Sequence, residues 1–118
     1  MTLLYLVRHG ETIDNARHIM QGQTQGELNE KGIKQAQEVA EQLKNEPIDA
    51  FVSSDLRRSI HTCEIIAAPH NKSVCTTSLL RERDWGAFTG KYIPDLSNLK
   101  NPTLWPKDIE SIDAIKAR

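Results

Sequence analysis

The run Leu3-Leu4-Tyr5-Leu6-Val7 constrains this chain most, because it carries no polar residue at either phase of a two-residue repeat. A strand with one wet face alternates, so a continuous apolar run asks for cover on both faces, as inside a parallel sheet. The next segments supply matching pieces. Ile33, Ala36, Ala40 and Leu43 recur at intervals of three and four, which predicts an amphipathic helix capped near Asn29 and closed before Pro47. Ala50-Phe51-Val52 reads as a second strand that ends in Ser53-Ser54-Asp55. A second helix follows with Leu56, Ile60, Cys63 and Ala67 on one stripe, stopped by Pro69, and Val74–Thr77 reads as a third strand. Strand, helix, strand, helix, strand predicts an α/β fold with a mostly parallel sheet. Beyond Leu80, Pro94, Pro102 and Pro106 punctuate a stretch with room for one short helix, and Ile109–Ala117 could form a last one. No linker or repeat divides residues 1–118, which read as a single domain.

The charges narrow the partners. With 15 Lys and Arg against 16 Asp and Glu, the net charge is -1, so nothing general points to nucleic acid or a membrane surface. The apolar start is too short for a secretory signal and lacks a basic stretch before it, and no window reaches membrane-span length. Cys63 and Cys75 have no metal-ligand spacing and read as reduced thiols in a cytoplasmic protein.

Chemistry is expected beyond the carboxyl ends of the strands. Arg8-His9-Gly10 follows the first strand there, and Ser53-Ser54-Asp55 opens a helix whose first turn carries Arg57 and Arg58. Free amide groups at a helix start favour an anion, and arginines reinforce that choice. Taken singly, each cluster also fits a solvated surface; together they outline a phosphate site. His18, His61 and His70 have no ligand spacing, so no metal site is expected. Trp85 and Phe88 serve equally as pocket walls or as packing.

"LVRHGET" followed by Asn15, then "QGQTQGELNEKGIKQAQ", "SSDLRRSIHTCEIIA" and "LLRERDWGAFTGK", together resemble the histidine phosphatase superfamily, which includes phosphoglycerate mutases and small phosphatases. The likeness covers about residues 1–91. It implies a three-layer α/β sandwich and a phosphomonoesterase acting on a small phosphorylated metabolite through a phosphohistidine, with no cofactor and no metal. His9 would be the nucleophile and Glu82 the acid that protonates the leaving oxygen. Arg8, Arg58 and Asn15 would hold the phosphoryl group, and Gln21 and Gly22 would line the substrate mouth. The compact loop between Asn15 and Leu28 favours a phosphatase over a mutase.

The pattern departs from the family in one respect. A second histidine, in a later His-Gly pair, completes the family's pocket, and only His9 is followed by glycine here. The strand that would carry the second one is missing too, which would leave apolar sheet edge exposed. Three expectations stay open: an N-terminal piece of a longer enzyme, a short protein that binds phosphate but turns over slowly or not at all, or a chain completed by a partner, such as a homodimer paired through the exposed edge.

Overall fold

The computed structural model describes all residues from Met1 to Arg118. Six regular elements appear: α1 (Ile13–Ala16), α2 (Glu30–Leu43), β1 (Phe51–Ser54), α3 (Arg57–Ala67), β2 (Val74–Thr77) and α4 (Ile112–Ala117). β1 and β2 pair in parallel, with Phe51 opposite Val74 and Ser54 opposite Thr77. A parallel pair needs a crossover, and α3 provides it while packing on both strands and on α2. The chain is therefore α/β, with helices and a parallel sheet.

Local chemistry explains where α2 begins. The Asn29 side chain accepts a hydrogen bond from the Gly32 amide (2.8 Å), while its own amide group donates to Glu11 Oε1 (3.3 Å) and the Thr12 carbonyl (3.4 Å). One residue thus caps α2 and ties it to the segment after His9. Of the expected stripe, Ala36 and Ala40 are buried, and their small size lets α2 lie close to α3. Ala40 joins Phe51, Ile66 and Ala67 in the core, flanked by Val39, Leu43, Ile48 and Val74. Full burial of a side chain such as Phe51 or Ile66 contributes about 1.5–3 kcal/mol.

Two expectations need correction. Leu3–Val7 forms no strand: no ladder partner lies beside it, and Leu3, Leu4 and Leu6 are 71%, 80% and 92% exposed. An all-apolar strand requires neighbours at its edges and cover on both faces, and the two-stranded sheet supplies neither. On α3 the ends of the Leu56, Ile60, Cys63, Ala67 stripe are buried (Leu56 and Ala67), but Ile60 and Cys63 are only partly so. Arg58, Thr62 and Ile66, spaced four apart, are buried as well, because this row faces α2 and the loop over Gly22–Gly26. That placement puts an arginine and a threonine in the interior for reasons hydropathy does not carry.

Past β2 the chain runs through short 3-10 turns at Ser78–Leu80, Gly86–Phe88, Ile93–Asp95 and Pro102–Leu104 before α4. Trp105, among its prolines, packs edge-on against Trp85 (5.2 Å) and Phe88 (6.3 Å). Arg83 lies 4.9 Å from both indole rings. Arg118 pairs with Glu110 (2.7 Å) and donates to the carbonyls of Leu79, Arg81 and Glu82. These bonds dock the C-terminal end of the chain onto the turn that carries Glu82.

Candidate phosphate site

His9 stands where the extended N-terminal segment ends, half-buried, with Gly10 fully enclosed behind it. Gly10 is obligatory there: a Cβ would lie 2.3 Å from the Gly32 carbonyl oxygen of α2. The His9 ring is oriented by a 2.7 Å bond between Nδ1 and the Gly10 carbonyl. A carbonyl only accepts, so Nδ1 carries the proton and Nε2 keeps its lone pair. Burial lowers the His9 pKa from its ordinary 6.5, the Gly10 bond opposes that shift, and the positive charges of Arg58 and Arg8 lower it further, with Glu82 acting weakly the other way. The charges of three other expected site residues, Arg58, Arg8 and Glu82, thus reach the His9 ring.

Arg58 is 2% exposed. Its Nη1 donates to the Thr24 carbonyl (2.5 Å) and its Nη2 to the Gly22 carbonyl (2.7 Å), which fixes the guanidinium plane. Nε is buried without a partner. A buried donor left unpaired costs roughly 1–3 kcal/mol, so this one is suited to an incoming acceptor. Arg57, by contrast, is exposed, and its amide is taken by Gln25 Oε1 (3.0 Å) while the Arg58 amide is taken by the Gln25 carbonyl (3.2 Å). The start of α3 is therefore capped by its own chain, and the expectation of free amides there is corrected. The cation remains; the helix-start amides do not.

The other expected residues divide. Arg8 is exposed and lines, with His9, Asn15 and Thr62, an open cleft of about 900 Å³. Asn15 Oδ1 accepts from the Thr12 amide (3.2 Å) and the Asn15 amide donates to Thr12 Oγ1 (3.0 Å), a reciprocal cap of α1. Glu82 is exposed, and its Oε1 accepts from the Arg83 amide (2.7 Å). Gln21 is buried with its Oε1 accepting from Thr12 Oγ1 (2.7 Å), and Gly22 is buried at φ +52. Neither lines the open cleft: the Gly22 carbonyl holds Arg58, and Gln21 is held by Thr12. Arg58 and Glu82 lie outside the walls of the cleft that Arg8, His9 and Asn15 share.

Comparison with known proteins decides what this constellation belongs to. The family model of the histidine phosphatase superfamily (branch 1) matches residues 4–118. The chain belongs to that superfamily. It is 40% identical over 109 residues to the probable phosphoglycerate mutase GpmB of Proteus mirabilis, covering 92% of this chain and 50% of that protein. The Yersinia pestis (strain Pestoides F) protein of the same name is 41% identical over 97 residues, covering 82% and 45%. Among solved structures, the mycobacterial glucosyl-3-phosphoglycerate phosphatase in complex with VO3 superposes with a TM-score of 0.82 at 30% identity, covering 92% of this chain and 59% of that one. Phosphoserine phosphatase of Entamoeba histolytica, solved with 3-phosphoglyceric acid, gives 0.68 at 38% identity, covering 75% and 43%. The chain spans about half the length of these histidine phosphatase relatives. No helix is long and apolar enough to cross a membrane.

Proposed function

We propose that residues 1–118 form one domain carrying the phosphoryl-accepting half of a phosphomonoesterase for small phosphorylated metabolites, with His9 as nucleophile. The observation that carries this reading is the 2.7 Å bond from His9 Nδ1–H to the Gly10 carbonyl, which leaves the Nε2 lone pair free within the field of the buried Arg58 charge. The Nε2 lone pair forms the P–N bond as the P–O bond of the ester breaks, and the leaving oxygen takes its proton from Glu82. Water then attacks phosphorus, the P–N bond breaks back to His9, and Glu82 recovers the proton. The charges of Arg8 and Arg58 neutralise the equatorial oxygens, and Asn15 helps to orient them. Gly22 holds Arg58 through its carbonyl, and Gln21 fixes Thr12 at the start of α1 beside Asn15.

Phosphatase chemistry is favoured over a mutase by the compact 15–28 loop and by the structural relatives named as phosphatases. The names of the sequence relatives favour the mutase, and the two are separable. With p-nitrophenyl phosphate and, in a second arm, 3-phosphoglycerate, the proposal expects slow phosphate release that His9→Ala abolishes. Interconversion of phosphoglycerate isomers without phosphate release would establish the mutase instead. The exposed Leu3–Leu6 segment further supports pairing with a second chain, and the two free thiols support a reducing, cytoplasmic setting.

A further inference from the structure

A single buried hydroxyl joins the two halves of this site. Thr62, on α3 and 5% exposed, donates from Oγ1 to the Arg58 carbonyl one turn earlier (2.8 Å) and accepts from the Gly10 amide (3.1 Å). The first bond alone is an ordinary helix back-bond that threonines often make. The second is not ordinary, since it reaches across 52 residues of sequence to the peptide between His9 and Gly10. With its proton committed to Arg58, the hydroxyl turns its lone pairs toward Gly10, so each bond orients the other.

The surroundings leave Gly10 little freedom. On its other side the Gly32 backbone is close enough that any Cβ would collide, so Gly10 is clamped between α2 and the Thr62 hydroxyl. The Gly10 carbonyl in turn holds His9 Nδ1, and the Arg58 turn that Thr62 grips carries the guanidinium fixed by Gly22 and Thr24. We propose that Thr62 is a positioning residue whose hydroxyl sets the offset between the His9 imidazole and the Arg58 guanidinium. This rests on the reading of those two residues as nucleophile and phosphate holder, though its geometry can be tested apart from it. Reaction at a bound phosphoryl group loses about a hundredfold for an ångström of misplacement, so one such strut matters.

The test compares Thr62→Val, Thr62→Ala and Thr62→Ser in the full 118-residue chain. Near-UV circular dichroism first establishes that each is folded, with alanine, which adds no bulk, standing in should valine unfold. Three signals are read: exchange of the Gly10 amide, the ring nitrogen resonances of His9, and affinity for orthovanadate. Valine and alanine should speed Gly10 exchange by about tenfold or more, shift the His9 ring signals and weaken vanadate by roughly tenfold, while serine stays within about threefold of the parent. Unchanged Gly10 exchange and His9 signals in both hydroxyl-free variants would overturn the proposal, as would a serine variant that behaves like alanine. If the parent chain binds no vanadate, or Arg58→Ala leaves its affinity unchanged, the phosphate reading fails separately, and the exchange and resonance data still decide the role of Thr62.

Discussion

At the scale of the residue, the ionisation of His9 carries a direct consequence. Because burial lowers its pKa below 6.5, more than half of the ring is neutral at that pH, where an unshifted histidine would be half protonated. The rate of phosphoryl uptake from an aryl phosphate should therefore fall with a midpoint below pH 6.5. A rate already halved at pH 6.5 would contradict the environment described for the ring. Linkage works in the same window: the unfolded chain binds more protons there, so the contribution of His9 to stability shrinks as pH drops from 6.5 toward its folded value. Arg58 and its neighbour Arg57 make a second contrast. Loss of the buried guanidinium in Arg58→Ala should weaken vanadate by roughly ten- to a hundredfold, whereas Arg57→Ala, on the exposed face, should change it by less than about threefold. Calorimetric titration of both variants separates a built site from a diffuse basic surface.

The elements show what sequence periodicity can and cannot carry. α2 was legible because its cap, its stripe and its closing proline are all local, and β1 and β2 because short apolar runs between helices have few alternatives. The strand expected over Leu3–Val7 was not, since pairing depends on neighbours that no local pattern encodes. Likewise the Arg58–Thr62–Ile66 row is invisible to hydropathy, and the Gln25 cap of α3 lies 32 residues away in sequence. A spacing of four between Arg58 and Thr62 was the one available sign that the two share a face. Glycine at position 32 offers a sharp check on the packing of α2: its Cβ would lie 2.0 Å from the Glu11 carbonyl oxygen, backbone against backbone. Gly32→Ala should therefore destabilise the fold by about 1–3 kcal/mol in urea melts despite the better helix propensity of alanine. The docked tail has its own signature. The bond from Arg118, then the Asp84 amide, hold Glu110 down to about 2 from its usual 4.5. A depressed carboxylate stabilises above its ordinary value and loses that contribution as pH falls toward the folded one. Tryptophan emission from the Trp85–Trp105 pair should accordingly change between pH 4.5 and about 2, and Glu110→Gln should show the released spectrum at neutral pH.

For the whole molecule, an exposed apolar segment beside a two-stranded sheet is the dominant feature. An exposed apolar segment with unpaired backbone recruits a strand from a second chain, so sedimentation equilibrium should find concentration-dependent self-association, and Leu6→Lys should weaken it by about tenfold or more. A monomer at every concentration, with or without the lysine, would show that the edge is covered in solution by this chain's own residues. The family motifs were readable over residues 1–91 because catalysis ties residue types to fixed spacings, while the way residues 92–118 fold back on Glu82 was not. The central claim is that His9 accepts the phosphoryl group through Nε2. Brief incubation with p-nitrophenyl phosphate, an alkaline quench and phosphorus NMR of the denatured chain test it most directly. Phosphohistidine bonded at Nε2 of His9, absent in His9→Ala, is the expected product; a label bonded at Nδ1, on a serine, or surviving His9→Ala would contradict the role given to His9.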